Sequence, residues 1–398
     1  MPSRRRYLAA VGAAGVPLAG CSYIHGSPSA DEPPEAGVDD PPEPRSDLHG
    51  ADGEWSSFGC NASNARAVGD GRAPVDGVAE RWRVEVAGSA YREPVAADGR
   101  VYHCFTDLSA YDADDGSELW RHPDVETTPV VRDGVVYAGA EGRLLALDAE
   151  TGDTAWELTL SENESVGVPA LFPGEGLYVP VGEAVYKIDP ETNGVEWSRD
   201  AFGRVLGPPA YVSQMGCAFA TEAGYVYLLG HDGTGFGRWS LPAVPEAPLT
   251  ADVDALYVNC LDGATYGIDM ERSPRLDIDW HAETGWASAG IAVHQFVYTT
   301  GTNGLRAIDP DSGDSLWEYD TGDWRWTAPA LGRDTLFVGG GRLYALDPTP
   351  GSGTPDQPAV RFEKSFHGRV GPGPVLDDGT VYVIAQTGER TYHLLALE

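Results

Sequence analysis

A unit of about forty residues recurs eight times along this 398-residue chain, and that recurrence limits its fold more than any other feature. The cleanest copy runs from Thr128 to Leu160. Thr128–Gly134 reads as a strand ending in an Asp-Gly turn, Val135–Ala140 as a second strand and Arg143–Asp148 as a third; after the turn Ala149–Gly152, Asp153–Leu158 reads as a fourth. Short β-branched and aromatic runs separated by Gly and Asp turns predict hairpins, not helices.

Three registers count the copies independently. The end of the third strand recurs at Asp112, Asp148, Asp189, Gly230, Asp269, Asp309, Asp347 and Glu398. The fourth-strand tryptophan recurs at Trp120, Trp156, Trp197, Trp239, Trp280 and Trp317, with Phe362 in the seventh copy. A proline opening the first strand recurs at Pro94, Pro129, Pro169, Pro209, Pro248, Pro329 and Pro374, with Ser288 in the sixth place. The pattern is that of an all-β protein, an eight-bladed β-propeller of four-stranded antiparallel blades. The last copy stops after its third strand, at Ala396-Leu397-Glu398. Its missing fourth strand is expected from Glu80–Val84, which carries Trp82 and has no three strands before it. An N-terminal strand completing the last blade closes the ring and removes the free sheet edges on which chains aggregate.

The charge excludes one class of partner. Lys+Arg number 27 against 61 Asp+Glu, a formal charge of −34. Residues 1–50 hold four Arg and seven acids, which leaves 23 − 54 = −31 on residues 51–398, so the acidity belongs to the folded body. A nucleic-acid-tracking surface is ruled out. Only Lys187 and Lys364 are lysines. Abundant acid with almost no lysine resembles proteins of extreme halophiles, in which about 1 M salt shortens the Debye length to roughly 3 Å and screens the self-repulsion; a basic partner or bound cations would be the other use for such a surface.

The N-terminus reads as an address. Arg4-Arg5, followed by Tyr7 and Leu8, resembles a twin-arginine export signal. The weakly apolar run Leu8–Gly20 is shorter than the ~20 residues a helix needs to span a bilayer, and it ends in Leu18-Ala19-Gly20-Cys21, which resembles a lipobox with Cys21 as the lipidated residue. Residues 1–21 are therefore expected to be a signal peptide, 22–50 an acidic Pro-rich disordered tether, 51–78 a lead-in and 79–398 the propeller. The expected location is the extracellular face of the cell membrane, held by a lipid anchor.

Ala146-Leu-Asp148-Ala-Glu-Thr-Gly152-Asp-Thr-Ala-Trp156 resembles the Ala-x-Asp-x-x-Thr-Gly-x-x-x-Trp repeat of pyrroloquinoline-quinone (PQQ) propellers. Ala110–Trp120, Lys187–Trp197 and Ala307–Trp317 repeat it with substitutions, and Trp55-Ser-Ser-Phe58 with Asn64 resembles the lead-in of such proteins. The lipobox, tether and short blades resemble the BamB-like lipoproteins within that family, which implies a binding or scaffold protein with no cofactor. The alternative implied by the same resemblance is a PQQ-dependent dehydrogenase with quinone and calcium on the axial face. Motifs for c-type haem, zinc, a nucleophile elbow or a phosphate loop are absent from the sequence, and forty-residue blades leave little room for a quinone-site insertion. The repeated tryptophans, Trp82, Trp120, Trp156, Trp197, Trp239, Trp280 and Trp317, are accordingly expected to dock blades together and not to hold a ligand.

Loops leading into the first strands should converge on the axis at one face. There Arg92, Trp286, Trp324, Arg325, Trp326 and Arg369 depart from the repeat and form a candidate ligand face for an anion or a carboxylate-bearing peptide, with ordinary loop packing as the competing reading. The expected partner is a protein or peptide at the cell surface, with the propeller itself a monomer. Cys60, Cys104, Cys217 and Cys260 could be bridged or free, and Asn61 and Asn163 head glycosylation sequons.

Overall fold

The structure is a computed structural model of the chain, described for residues 55–68, 73–87, 92–212, 215–270, 276–302, 304–322 and 326–398. Arg4, Arg5, Cys21, Trp324 and Arg325 lie outside the described residues, as do the expected signal and tether. All regular structure among the described residues is β-strand, in eight four-stranded antiparallel sheets arranged as the ring of a β-propeller. Blades 1 to 7 occupy 95–123, 130–159, 170–200, 210–240, 250–283, 292–319 and 330–364; blade 8 combines 375–397 with Glu80–Val86. In blade 2 the second and third strands fall where the pattern put them, the first shrinks to Val130–Arg132 and the fourth runs Thr154–Thr159.

Closure follows the expected route, through a strand two residues longer than the sequence suggested. Glu80–Val86 pairs antiparallel with Tyr392–Leu397, setting Trp82 opposite Ala396 and Val86 opposite Tyr392. Ala79 and Glu398 exchange backbone hydrogen bonds of 2.6 and 3.0 Å, and Arg81 Nε lies 3.3 Å from Glu398 Oε1. The first and last strands of the propeller therefore lie side by side in one blade.

The repeat motif is the seam between blades. The small first residue of the motif stands directly across from the tryptophan: Ala110 from Trp120, Ala146 from Trp156, Ala307 from Trp317. A bulge follows that pair in each case, which turns the strand and re-aims the indole. The indole reaches the third-to-fourth-strand turn of the next blade. Nε1 of Trp82, Trp120, Trp197 and Trp280 donates to the carbonyls of Ala113, Ala149, His231 and Pro310 at 2.8–2.9 Å, and Trp317 to Pro348 at 3.3 Å. The motif aspartate closes that turn: Asp148 Oδ1 accepts from the amides of Glu150 and Thr151, both at 2.9 Å.

Trp82, Trp120, Trp156, Trp197, Trp280 and Trp317 each also meet an aromatic ring on the second strand of their own blade, as in Tyr102–Trp120 at 5.8 Å and Tyr298–Trp317 at 6.0 Å between centroids. Such a pair contributes about 0.5–1.5 kcal/mol beyond the area it buries. The sequence carries this second aromatic register at Tyr102, Tyr137, Tyr178, Tyr257, Tyr298, Phe337 and Tyr382; blade 4 breaks it, with Ala218 in that place and the neighbouring Phe219 stacked on Tyr227.

Two register assignments need correction. In blade 4 the residue across the bulge is Gly237, and Trp239 lies two residues beyond it, opposite Val226. Its indole folds back over Gly237, where a β-carbon would come within 2.6 Å of it, and packs from that displaced position, partly buried, against the apolar cluster shared by blades 4 and 5. Ser288 does not open the first strand of blade 6. That strand is Ala292–Val293, and Ile291 stands where Pro129, Pro209 and Pro329 stand in blades 2, 4 and 7.

The lead-in Trp55–Val68 runs through the middle of the ring. Trp55 bridges to Ala96 in blade 1. The carbonyls of Ser56, Ala62, Ser63, Ala65 and Arg66 accept, in that order, from Val131 of blade 2, Tyr211 of blade 4, Ala251 of blade 5, Val293 of blade 6 and Leu331 of blade 7, at 2.7–2.9 Å. The innermost strand of a blade presents amides to the axis, and buried amides need acceptors. One segment, walking round the axis, supplies them. Trp55, Cys60, Asn64 and Arg66 are all buried as a result.

Candidate functional site

The loops leading into the first strands, with the hairpins joining second and third strands, line an open cavity of about 1030 Å³ on the axis. Phe58 and Arg66 of the lead-in form its floor, together with Glu93 from the loop before blade 1. Arg66 is 1% exposed. Its Nη1 makes a 2.5 Å ion pair with Glu93 Oε2, its Nε donates to the Pro329 carbonyl at 2.8 Å, and its guanidinium lies 5.1 Å from the centre of the Trp55 ring. The second Glu93 oxygen accepts from the Gly59 amide at 2.9 Å. A β-carbon at Gly373 would sit 2.6 Å from Arg66 Nη2 and one at Gly290 3.1 Å from Cδ, so glycines frame the arginine where two loops close on it.

Of the residues expected on this face, Arg92 and Trp326 line the cavity, and Trp286 stands edge-on to Trp326 with ring centroids 6.3 Å apart. Arg369 is exposed on the loop before blade 8, outside the lining. Arg92 Nη1 donates to the Phe105 carbonyl at 2.7 Å. Asp124, Glu126 and Glu141 line the side nearest blades 1 and 2, and Arg143 there is already bonded to Glu157 at 2.7 Å. Arg66 and Glu93 form a mutually neutralising pair on the floor, and Asp124, Glu126 and Glu141 leave the wall acidic. Arg66 carried no sequence signal beyond its place in the lead-in, because its contacts lie up to 263 residues away.

Behind Arg92 the groups with reactive potential are held in uncharged forms. Burial, and then the Arg92 charge, lower the His103 imidazole to about 4. Burial raises the Cys104 thiol, against the opposing pull of Arg92. Cys104, Cys217 and Cys260 are buried free thiols, and Cys60 is buried with its Sγ donating to the Ala67 carbonyl at 3.3 Å. Asn61 is buried in the lead-in with its Oδ1 accepting from the Ser63 and Ala65 amides, so the folded protein offers no access for a glycan there. Asn163 is exposed. The cavity thus presents donors, carboxylates and aromatic edges.

A family model described as "Outer membrane protein assembly factor BamB", built on the PQQ repeat, matches residues 75–168, 140–268 and 296–398. The chain belongs to this PQQ-repeat propeller family. Among relatives, the serine/threonine-protein kinase AfsK of Streptomyces griseus is 33% identical over 150 residues, covering 34% of this chain and 18% of the kinase. The quinohemoprotein alcohol dehydrogenase ADH-IIG of Pseudomonas putida is 25% identical over 316 residues, 69% of this chain and 40% of the enzyme. BamB of Yersinia pestis is 25% identical over 245 residues, 54% of this chain and 58% of that protein. The chain therefore spans less than two thirds of each. Among solved structures, BamB of Moraxella catarrhalis superposes with a TM-score of 0.62 at 17% identity, over 80% of this chain and 97% of that one. The quinohemoprotein alcohol dehydrogenase of Comamonas testosteroni superposes at 0.64 and 15%, over 86% and 80%. At these identities the superpositions establish the shared fold.

Proposed function

We propose that this chain is an exported, lipid-anchored propeller that binds a protein partner on its axial face. The observation that carries the reading is the division of labour among the aromatics. The repeated tryptophans are consumed by the seams, while the non-repeating Trp326 is 37% exposed at the rim of a cavity lined by donors and carboxylates. Exposed aromatics beside arginine are the usual anchors of protein interfaces. Membership in a family described by BamB supports a scaffold or binding role. Arg4-Arg5 and the Leu18–Cys21 lipobox support export and anchoring. The outer-membrane assembly role of BamB itself is not carried over.

The second reading, a PQQ-dependent dehydrogenase, is favoured by the quinohemoprotein relatives. The donor set of the floor does not fit a quinone–calcium pair. Calcium asks for several open oxygen ligands, yet both oxygens of Glu93 are engaged by Arg66 and Gly59. Among the described residues no three His, Cys, Asp or Glu side chains converge as a metal site. Dialysis of the purified protein against PQQ and calcium, followed by desalting and an alcohol-dependent dye assay, separates the readings. Binding without chemistry predicts neither retained quinone absorbance nor dye reduction; stoichiometric retention with turnover would make the protein a dehydrogenase.

A further inference from the structure

We propose that the axial cavity receives an uncharged hydrogen-bond acceptor from its partner, a carboxamide or peptide carbonyl, at Arg66 Nη2. This rests on the binding reading above and names the chemistry of the group that enters. Nη2 is buried and has no partner among the described residues, although Nε and Nη1 of the same guanidinium are both bonded. The hydroxyl of Ser288, a residue that lines the same cavity, is likewise buried without a partner, so an incoming acceptor reaches both donors as the loops carrying Gly290 and Gly373, which cover Arg66, give way. A buried donor left unmade is costly, and a ligand that supplies an acceptor recovers that cost.

The charge around the cavity decides what kind of acceptor fits. Glu93 neutralises Arg66 at 2.5 Å, so the floor offers a donor without net charge. Asp124, Glu126 and Glu141 on the facing wall outweigh Arg92, because Arg143 is already paired with Glu157. A carboxylate would be desolvated against a neutral floor and repelled by that wall. This is why the anion expected from the arginines in the sequence does not follow once Glu93 is placed. A cation would leave Nη2 unsatisfied. A carbonyl oxygen meets both conditions. Trp326, edge-on to Trp286 beside Ser288, offers an apolar edge to an aromatic residue flanking the acceptor. The occupant is therefore a peptide segment carrying Gln or Asn, or a bare backbone carbonyl, between aromatic neighbours.

The test titrates the full chain, in high salt at pH 7, with acetyl-Phe-Gln-Phe-amide and acetyl-Phe-Glu-Phe-amide, read by tryptophan fluorescence. The Gln peptide is expected to bind about tenfold tighter than the Glu peptide, a 1.4 kcal/mol difference. Ser288→Ala should weaken the Gln peptide several-fold with unchanged melting, since its hydroxyl has no partner to lose. Glu93→Gln removes the neutralising charge and should reverse the order of the two peptides. Equal affinities in the wild type, a tighter Glu peptide, or a Ser288→Ala titration that overlays the wild type would overturn the proposal. If Glu93→Gln does not fold, the wild-type pair and Ser288→Ala decide. If neither peptide binds while a partner still cross-links to position 326, the acceptor proposal falls and the binding reading stands; if no partner cross-links there, the binding reading falls with it.

Discussion

The indole of Trp120 packs so closely on Gly152 of the next blade that a β-carbon on the glycine would lie 2.6 Å from Cδ2. Gly116 meets Trp82, Gly233 meets Trp197 and Gly313 meets Trp280 in the same way, at 2.7–2.8 Å. The glycine of the repeat is therefore held by two demands, a positive φ of 76° at Gly152 and a neighbour with no room to give.

Gly152→Ala should cost about 2–4 kcal/mol, combining the positive-φ penalty with overpacking of the seam. Gly134→Ala in the same blade is the matched control. Its φ is 75°, but nothing lies within 4 Å of its would-be β-carbon, so it should cost only about 1 kcal/mol. Chemical denaturation of both variants checks the difference, and equal losses would show that backbone strain alone selects glycine.

His103 makes stability depend on pH in a defined window. Its folded value of about 4 lies below its ordinary 6.5, so the folded state binds the proton less readily than the unfolded chain. The contribution is complete above pH 6.5 and is lost as the pH falls through about 4. Roughly 2.5 units at 1.36 kcal/mol each gives a loss on the order of 3 kcal/mol. His103→Gln should remove that part of the pH dependence between 6.5 and 4 when both proteins are unfolded in the same high salt. Parallel wild-type and variant curves would mean that the imidazole is protonated in place.

How far the sequence revealed these features depended on whether a residue's partner repeats with it. Trp120, Gly152 and Asp148 recur at fixed spacing, so the fold, the blade number and the closing strand could be read in advance. Trp239 misled because its blade keeps the tryptophan while moving it two residues past the bulge. Ser288 misled because Ile291 carries no proline to mark the strand. The site itself was legible only at its rim, in Arg92, Trp286 and Trp326. Its floor was hidden because Ser56 meets Val131 and Ala62 meets Tyr211, pairings with no period that join a fourteen-residue segment to six blades.

Closure through blade 8 predicts the effect of a short truncation. Deleting residues 391–398 removes the strand between Glu80–Val86 and Thr380–Gln386, which strips two edges at once and releases the N-terminal strand. Loss of cooperative unfolding, or aggregation, is the expected outcome. A truncated protein that melts like the full chain would contradict closure at that blade.

The acidic body predicts a steep salt dependence. Both lysines are already engaged, Lys187 with Glu175 and Glu196 at 3.1 and 3.2 Å and Lys364 with the Val78 carbonyl at 3.2 Å. Dilution from 1 M to 0.1 M salt lengthens the Debye length from roughly 3 to 10 Å and lets acids on neighbouring blades repel. The melting temperature should fall steeply over that range at fixed pH, with divalent cations restoring it at lower concentration than monovalent ones. A flat profile would mean that the carboxylates are locally paired.

The claim that the axial face is the binding surface is tested most directly by site-specific photo-cross-linking in intact cells. A photoreactive residue placed at Trp326, 37% exposed at the cavity rim, is compared with one at Leu119, 43% exposed on the outer strand of blade 1. A discrete protein adduct from position 326 and none from position 119 is the predicted result. No adduct at 326, or the same adducts from both positions, would contradict it.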